Sequence, residues 1–181
     1  MKIETPITRE VARSLKAGDI VQITGTIYTA RDAAHKRMLE NLDKGIELPI
    51  DLTNQTIYFA GPAPAKPGEP IGSVGPTTSY RMDAYSPRTI ELGLTCMIGK
   101  GARSKEVVDA MKKYGAVYIG AVGGAGALIS ECVKSAKVVA YEDLGSEAIH
   151  ELYVEDFPGT VIIDSEGNNL YETEPLKYKK D

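Results

Sequence analysis

The chain has 181 residues, 43% of them hydrophobic and 25% charged, with a net charge of −4. That length fits one domain of about 100–200 residues with a core of its own, and 1–181 is read as a single domain. The mildly acidic balance argues against a nucleic-acid footprint, which needs a basic face. Positive charge is local instead, around residues 31–38 and 100–105, a pattern suited to a small anionic ligand. The two cysteines, Cys96 and Cys132, cannot form a disulfide scaffold. No secretory signal is recognisable, so a reducing cytoplasm is the expected location. The uncharged run 116–130 falls short of the roughly 18 residues of a membrane span and is broken by glycines, so no membrane association is expected.

In chain order, residues 1–5 read as a short strand. Thr8 caps a helix over 9–16, with Glu10 in its first turn, and Ala17-Gly18-Asp19 stops it. Residues 20–24 alternate apolar and polar, and Gly25 breaks them from 26–29, which predicts a strand pair or one bent strand. Residues 31–44 read as a helix with Ala34, Met38, Leu39 and Leu42 on its apolar side. A short strand follows at 57–60. The stretch 61–76 holds five of the ten prolines and four glycines, and is expected to be a functional loop. Ser86 and Pro87 predict a helix start, with the serine as cap, closed by Gly93. Strands at 95–98, 116–122 and 138–141 then alternate with helices at 104–114 and 125–135, which predicts a parallel βαβαβ unit. Further strands are expected at 152–154, 160–164 and 169–172, with a hairpin-type turn at Gly167-Asn168-Asn169 and a polar tail over 177–181.

The densest chemistry lies in Gly75-Pro76-Thr77-Thr78-Ser79-Tyr80-Arg81-Met82-Asp83, which sets hydroxyls, a phenol, a cation and a carboxylate behind a turn. Arg81 suits a carboxylate clamp, because a guanidinium matches a carboxylate in bidentate geometry. Asp83 is placed to orient Arg81. Thr77 and Thr78 can donate hydrogen bonds or, if activated by a neighbouring charge, move a proton. Arg31 begins a helix, where a cation opposes the macrodipole, so it reads as a second clamp rather than a stabiliser. Two arginines suit a dicarboxylate. His35 reads as a lone surface histidine and His150 as structural. Gly93–Lys100 departs from a phosphate loop by one residue in its glycine spacing. Lys100 itself follows a predicted parallel strand, where ligands of α/β sheets bind, and a solvated lysine is the equal alternative. Gly123-Gly124-Ala125-Gly126 opens a helix after a strand, but Ile129 stands where a dinucleotide fingerprint has its third glycine. Close helix–sheet packing, carboxylate binding by free N–H groups and dinucleotide binding stand in that order.

At these residues the chain resembles the β subunit, or C-terminal half, of class I iron–sulfur fumarases and L-tartrate dehydratases. The resemblance rests on Tyr28-Thr29-Ala30-Arg31-Asp32-Ala33-Ala34-His35-Lys36-Arg37, on the segment from Gly75 to Asp83, on Ile98-Gly99-Lys100-Gly101, on Gly123-Gly124-Ala125-Gly126-Ala127 and on Val154-Glu155-Asp156-Phe157-Pro158, in the family's order and approximate spacing. It implies an α/β fold, a swivelling β/β/α domain with a mixed, largely parallel central sheet. It implies a reversible hydro-lyase reaction between fumarate and L-malate, with a [4Fe–4S] cluster held by three cysteines of a partner α subunit and no metal on this chain. It places the dicarboxylate-binding cations on Arg31, Arg81 and Lys100 and the base on Thr77. Beside it, the reading of the residues themselves puts Thr78, Asp83 and Gly124 in support. A higher oligomer such as α2β2 is implied as well. Some family members have Ala-Gly where Ser79-Tyr80 stands, so the bulkier Tyr80 alters the pocket's shape. The nearest alternative is an L-tartrate dehydratase β subunit. The others are a dinucleotide-binding module, suggested by residues 116–142, and a non-catalytic anion-binding partner.

Overall fold

The computed structural model describes residues 1–121 and 126–173, with the backbone alone at Gly126 and Ala127. Its elements are β1 (Lys2–Glu4), α1 (Arg9–Ser14), β2 (Ile20–Thr29), α2 (Asp32–Asp43), β3 (Thr56–Tyr58), a 3₁₀ turn (Ser79–Met82), α3 (Ser86–Glu91), β4 (Cys96–Gly99), α4 (Lys105–Tyr114), β5 (Val117–Gly120), α5 (Gly126–Cys132), β6 (Val133–Ala140), a second 3₁₀ segment (Glu142–Glu147) and β7 (Ile149–Ile163). No described helix is long and apolar enough to cross a membrane.

Strands β1 to β5 pair in parallel in chain order. The long β7 runs antiparallel to β2 from Ile20 opposite Thr160 to Thr29 opposite His150, and its far end pairs with β5 at Tyr118 and Ile163. The sheet therefore closes through β2, β3, β4, β5 and β7, with β1 and β6 added outside the ring. This is the mixed, largely parallel α/β architecture expected of the swivelling domain.

Side-chain alternation explains how the ring is filled and covered. Ile23, Ile27, Tyr58, Ile98, Val117, Ile119, Phe157 and Val161 belong to one core, in which Tyr58 meets Phe157 edge to face. Their strand neighbours Ile57, Phe59, Met97 and Tyr118 point the other way, into a second core with Ala34, Met38, Ile90, Val107 and Met111 of α2, α3 and α4. The helices are ended locally by ordinary means. Thr8 Oγ1 accepts from Val11 N, Ser104 Oγ accepts from Val107 N, and Gly115 closes α4 at φ 83°.

Of the two readings of 20–29, one bent strand is found: β2 is continuous through Gly25, at φ 130°, because a register shift between Ile23 and Gly25 absorbs the bend. Several other expectations are corrected. Helix α5 ends at Cys132, and β6 begins at Val133 and runs antiparallel to β7 rather than parallel to β5. The βαβαβ reading fails at this step because β7 already occupies the free edge of β5. Segments 152–154 and 160–164 fall on the single strand β7, apart from Asp164 just beyond its end, and 169–172 is not a strand but an isolated bridge from Asn169 to Ile163 followed by a helical turn. Ser86 is the first residue of α3, not its cap. Tyr85 precedes it without a capping side chain, while Ser86 Oγ donates to Met82 O. The loop 61–76 carries no helix or strand, as expected. The tail 177–181 lies outside the described residues.

Candidate active site

The parallel strands β2, β3 and β4 present their C-terminal ends side by side, and Arg31, Thr77, Thr78 and Lys100 lie at those ends. Arg31 follows β2 and takes the N-cap position of α2 in extended conformation, with no capping side-chain bond. The Pro-rich loop returns to the end of β3, where Thr77 N donates to Phe59 O at 2.7 Å. The next residues lie along the end of β4. Thr78 bridges to Lys100, and Ser79 N donates to Lys100 O at 2.8 Å. One segment thus brings Thr77, Thr78 and Arg81 beside Lys100, across two strand ends. Lys100 follows a parallel strand as the sequence predicts.

Arg31 and Arg81 converge on one carboxylate. Arg31 Nε lies 3.8 Å from Asp32 Oδ1, and Arg81 Nη1 lies 3.9 Å from Asp32 Oδ2. Glu147, from the second 3₁₀ segment, sits 3.8 Å from Arg31 Nε and accepts from Ala33 N at 3.5 Å. These ion-pair distances exceed hydrogen-bond range. Among the described residues, the buried Arg31 Nε and Asp32 Oδ1 have no hydrogen-bond partner. The face is open. Thr77 and Thr78 are half-buried, while Tyr80, Arg81 and Lys100 are exposed. Tyr80 is 62% exposed, so its ring stands out from the site rather than filling it.

Asp83 does not orient Arg81. It pairs with Arg103 Nε at 2.7 Å and accepts from Ser104 N at 2.8 Å. Asp32 faces Arg81 in its place. Arg103 belongs to no motif of its own and is marked in the sequence only by the basic stretch 100–105. Its side chain is fully buried, with Phe59 and Tyr118 ring centroids 5.1 and 4.9 Å from its guanidinium carbon. It also donates to Ser86 Oγ at 2.6 Å and to Met97 Sδ at 3.3 Å.

His35 is a core residue, not a surface one. Its Nδ1 lies 2.8 Å from Arg31 O, and since a carbonyl only accepts, Nδ1 carries the proton. Nε2 is buried without a partner. Burial pushes the imidazole down to about 4, so it is neutral at ordinary pH. His150 Nδ1 meets Ala148 O at 2.9 Å. Gly123, Gly124 and Ala125 lie outside the described residues. The strand after that loop is not beside β5, so the parallel strand that a dinucleotide crossover requires is replaced by an antiparallel one.

The chain's own cysteines do not suit an iron–sulfur cluster. Cys96 faces the core, where burial pushes its thiol up to about 12, and Cys132 stands apart at the end of α5. Among the described residues there is no group of three or more His, Cys, Asp or Glu placed to hold a metal ion.

A family model described as "Fumarase C-terminus" matches residues 1–174. The chain is 42% identical over 158 residues to "Fumarate hydratase class I, anaerobic" of Escherichia coli, covering 84% of this chain and 28% of that protein. "Fumarate hydratase 2" of Leishmania major is 38% identical over 169 residues, or 90% of this chain and 29% of that protein. A Methanocaldococcus jannaschii chain provisionally named L(+)-tartrate dehydratase subunit beta is 41% identical over 172 residues, or 92% of this chain and 88% of that one. The chain thus spans under a third of the length of those fumarate hydratases and most of the length of the separate β subunit. By the family match over residues 1–174 and these identities, the chain belongs to the class I fumarate hydratase and tartrate dehydratase family, as its C-terminal, β-subunit-like domain.

Proposed function

We propose that this chain is the β subunit of a [4Fe–4S] hydro-lyase that interconverts fumarate and L-malate, active together with an α subunit that carries the cluster. The observation that carries this reading is the meeting of Arg31, Arg81, Thr77 and Lys100 on one open face at the ends of β2, β3 and β4. Arg31 and Arg81 grip carboxylates through their planar forks, and Lys100 adds a point charge. Thr77 exchanges the proton at the substrate carbon next to a carboxylate. As that proton leaves, negative charge moves onto the carboxylate, where the fixed cations stabilise it. The same cations lower the cost of alkoxide character at Thr77, whose free hydroxyl is a poor base. The cluster, held by the α subunit, would supply Lewis acidity to the substrate hydroxyl oxygen, which leaves with the C–O electron pair as the charge on the carboxylate returns to form the carbon–carbon double bond. An open face carrying half of the groups accords with a site completed across a subunit interface.

The test is Thr77→Ala in the reconstituted two-subunit enzyme. Loss of a general base predicts a fall in kcat of roughly 10²–10⁴-fold, with iron content and assembly unchanged. Undiminished turnover would remove Thr77 from the chemistry. Arg81→Lys keeps the charge but loses the fork, and is expected to lower kcat/KM for malate by about tenfold or more.

A second reading, L-tartrate dehydratase, is favoured by the archaeal relative, which this chain matches over 88% of its length. Assays of one preparation with L-malate and L-tartrate separate the two.

A further inference from the structure

Behind the open face lies a buried stack that reaches each part of the candidate site. Phe59 links its members, with the His35 ring 5.6 Å away in a T-shaped contact and the Arg103 guanidinium 5.1 Å from its centroid. The Tyr118 ring also meets Arg103, at 4.9 Å. Each member is bonded to a segment bearing a site cation or hydroxyl. His35 holds the carbonyl of Arg31, Phe59 O holds the amide of Thr77, and the Tyr118 hydroxyl meets Gly101 O and Ser79 Oγ, both at 2.8 Å. Arg103 holds Asp83, which ends the turn carrying Arg81.

A guanidinium at zero exposure is a costly way to fill a core, because apolar residues of similar volume do so without desolvating a charge. What the guanidinium does here that a leucine cannot is direct donors to three separate elements at once. Nε reaches Asp83 beyond the 3₁₀ turn, one terminal nitrogen reaches Ser86 at the start of α3, and the other reaches Met97 on β4. The second oxygen of Asp83 accepts from Ser104 N, on the stretch that follows Lys100. The segment bearing Arg81 is therefore pinned at two points. Ser79 is held by Lys100 O at the front, and Asp83 is held by Arg103 and Ser104 at the back. Arg81 lies between the pins, and among the described residues its side chain has no polar partner nearer than Asp32 at 3.9 Å.

We propose that Arg103 is a positioning residue that fixes the Arg81 turn against the Lys100 loop, so that the two cations meet one dicarboxylate at a set spacing. This rests on the reading of the face as a dicarboxylate site. Without the fork, the rear pin loosens while the front one stays, and Arg81 pivots relative to Lys100. A ligand that needs both cations suffers, and a ligand that needs one suffers less.

The experiment compares wild type with Arg103→Lys in the assembled two-subunit enzyme. Lysine keeps the charge but cannot satisfy three acceptors in one plane. The expected result is a fall in kcat/KM for malate of roughly 10²-fold, the scale of a misplacement near 1 Å. Succinate should lose far more competitive affinity than propionate, with cluster content and assembly unaltered. Asp83→Asn, which nearly preserves shape, should shift the succinate-to-propionate ratio in the same direction if Arg103→Lys proves insoluble. A folded Arg103→Lys enzyme with lowered melting temperature but wild-type KM and an unchanged ratio would overturn the proposal alone, because it leaves Arg103 a purely structural role. Wild type that neither turns over malate or tartrate nor binds succinate would overturn the site reading and this proposal with it.

Discussion

Gly99 ends β4 where the Arg81-bearing segment crosses it, and Gly99→Ala tests that crossing. A β-carbon there would lie well inside 3.0 Å of Ser79 Oγ and 2.9 Å from Phe59 Cδ2, closer than real contacts of that kind come. Neither neighbour has room to give. Ser79 is held by Tyr118 through its hydroxyl and by Lys100 O through its amide, and Phe59 packs against both His35 and Arg103. Overpacking of one methyl in such a place costs about 1–3 kcal/mol. For a domain of this size that lowers the melting temperature by roughly 2–12 °C. Ser79→Ala removes the colliding oxygen and leaves Cβ at a tolerable 3.4 Å. Alone it should cost about 1 kcal/mol for the lost bond. In that background Gly99→Ala should cost less than in wild type, with a coupling of about 0.5–3 kcal/mol. Phe59 still objects, so the cost does not vanish. Thermal and urea unfolding of the four proteins close the cycle. A melting temperature for Gly99→Ala lowered by less than the ~2 °C that 1 kcal/mol represents, or equal losses in both backgrounds, would refute the steric account.

Other outcomes follow from the same structure. His35 titrates at about 4 in the fold against 6.5 ordinarily, so the unfolded chain takes up its proton first. The contribution of neutral His35 is whole above pH 6.5 and is lost as pH falls toward 4, by at most about 3 kcal/mol. Urea unfolding at pH 7 and pH 4.5 should therefore show the stability gap between wild type and His35→Gln narrowing at the lower pH, and a constant gap would contradict the buried neutral imidazole. Gly115 adopts a left-handed φ of 83° with Arg13 Nε 2.6 Å from where a β-carbon would sit. Gly115→Ala should cost about 1–2 kcal/mol, and an unchanged melting temperature would count against the αL cap.

Much of the fold was legible because period-2 alternation and cap residues are local signals. Thr8 and the break at Gly93 needed nothing beyond their neighbours. Strand β7 was not, since Asp156, Pro158 and Gly159 look like breakers. It runs through them because Asp156 takes φ 50° and donates its amide to Thr24 Oγ1, opposite the β2 register shift, which is a tertiary arrangement. His35 was hidden for a related reason. It sits beside Ala34 on the buried side of α2, yet its polarity suggested solvent, and only the Arg31 carbonyl and the Phe59 and Tyr85 rings explain its burial. The Asp83–Arg103 pair joins residues 20 apart across two loops, so proximity in sequence favoured Arg81 as the partner instead.

Position decided which cations reach the site, and residue type did not. The stretch 100–105 holds three cations with three fates. Lys100, one residue beyond a parallel strand, stands exposed at the site; Arg103 turns into the core; Lys105 pairs with Asp109 one helical turn along α4. The stretch 31–38 divides in the same way. Arg31, two residues beyond β2, enters the site, Lys36 pairs with Glu40 along α2, and Arg37 forms a two-pronged bond to Asp143. In a sheet of this kind the crevice lies at the carboxyl ends of the parallel strands. A cation that follows such a strand within a residue or two is delivered there by the backbone, while those farther along are carried onto a helix face and are neutralised by its neighbours. On that argument, moving the charge of Lys100 one place along, as Lys100→Ala with Gly101→Lys, should not restore dicarboxylate binding. Gly101 holds φ 86°, which a lysine side chain adopts only with strain, and its carbonyl is already taken by the Tyr118 hydroxyl. Succinate titration of the double variant checks this, and wild-type affinity would show that charge alone, wherever it is placed in the loop, suffices.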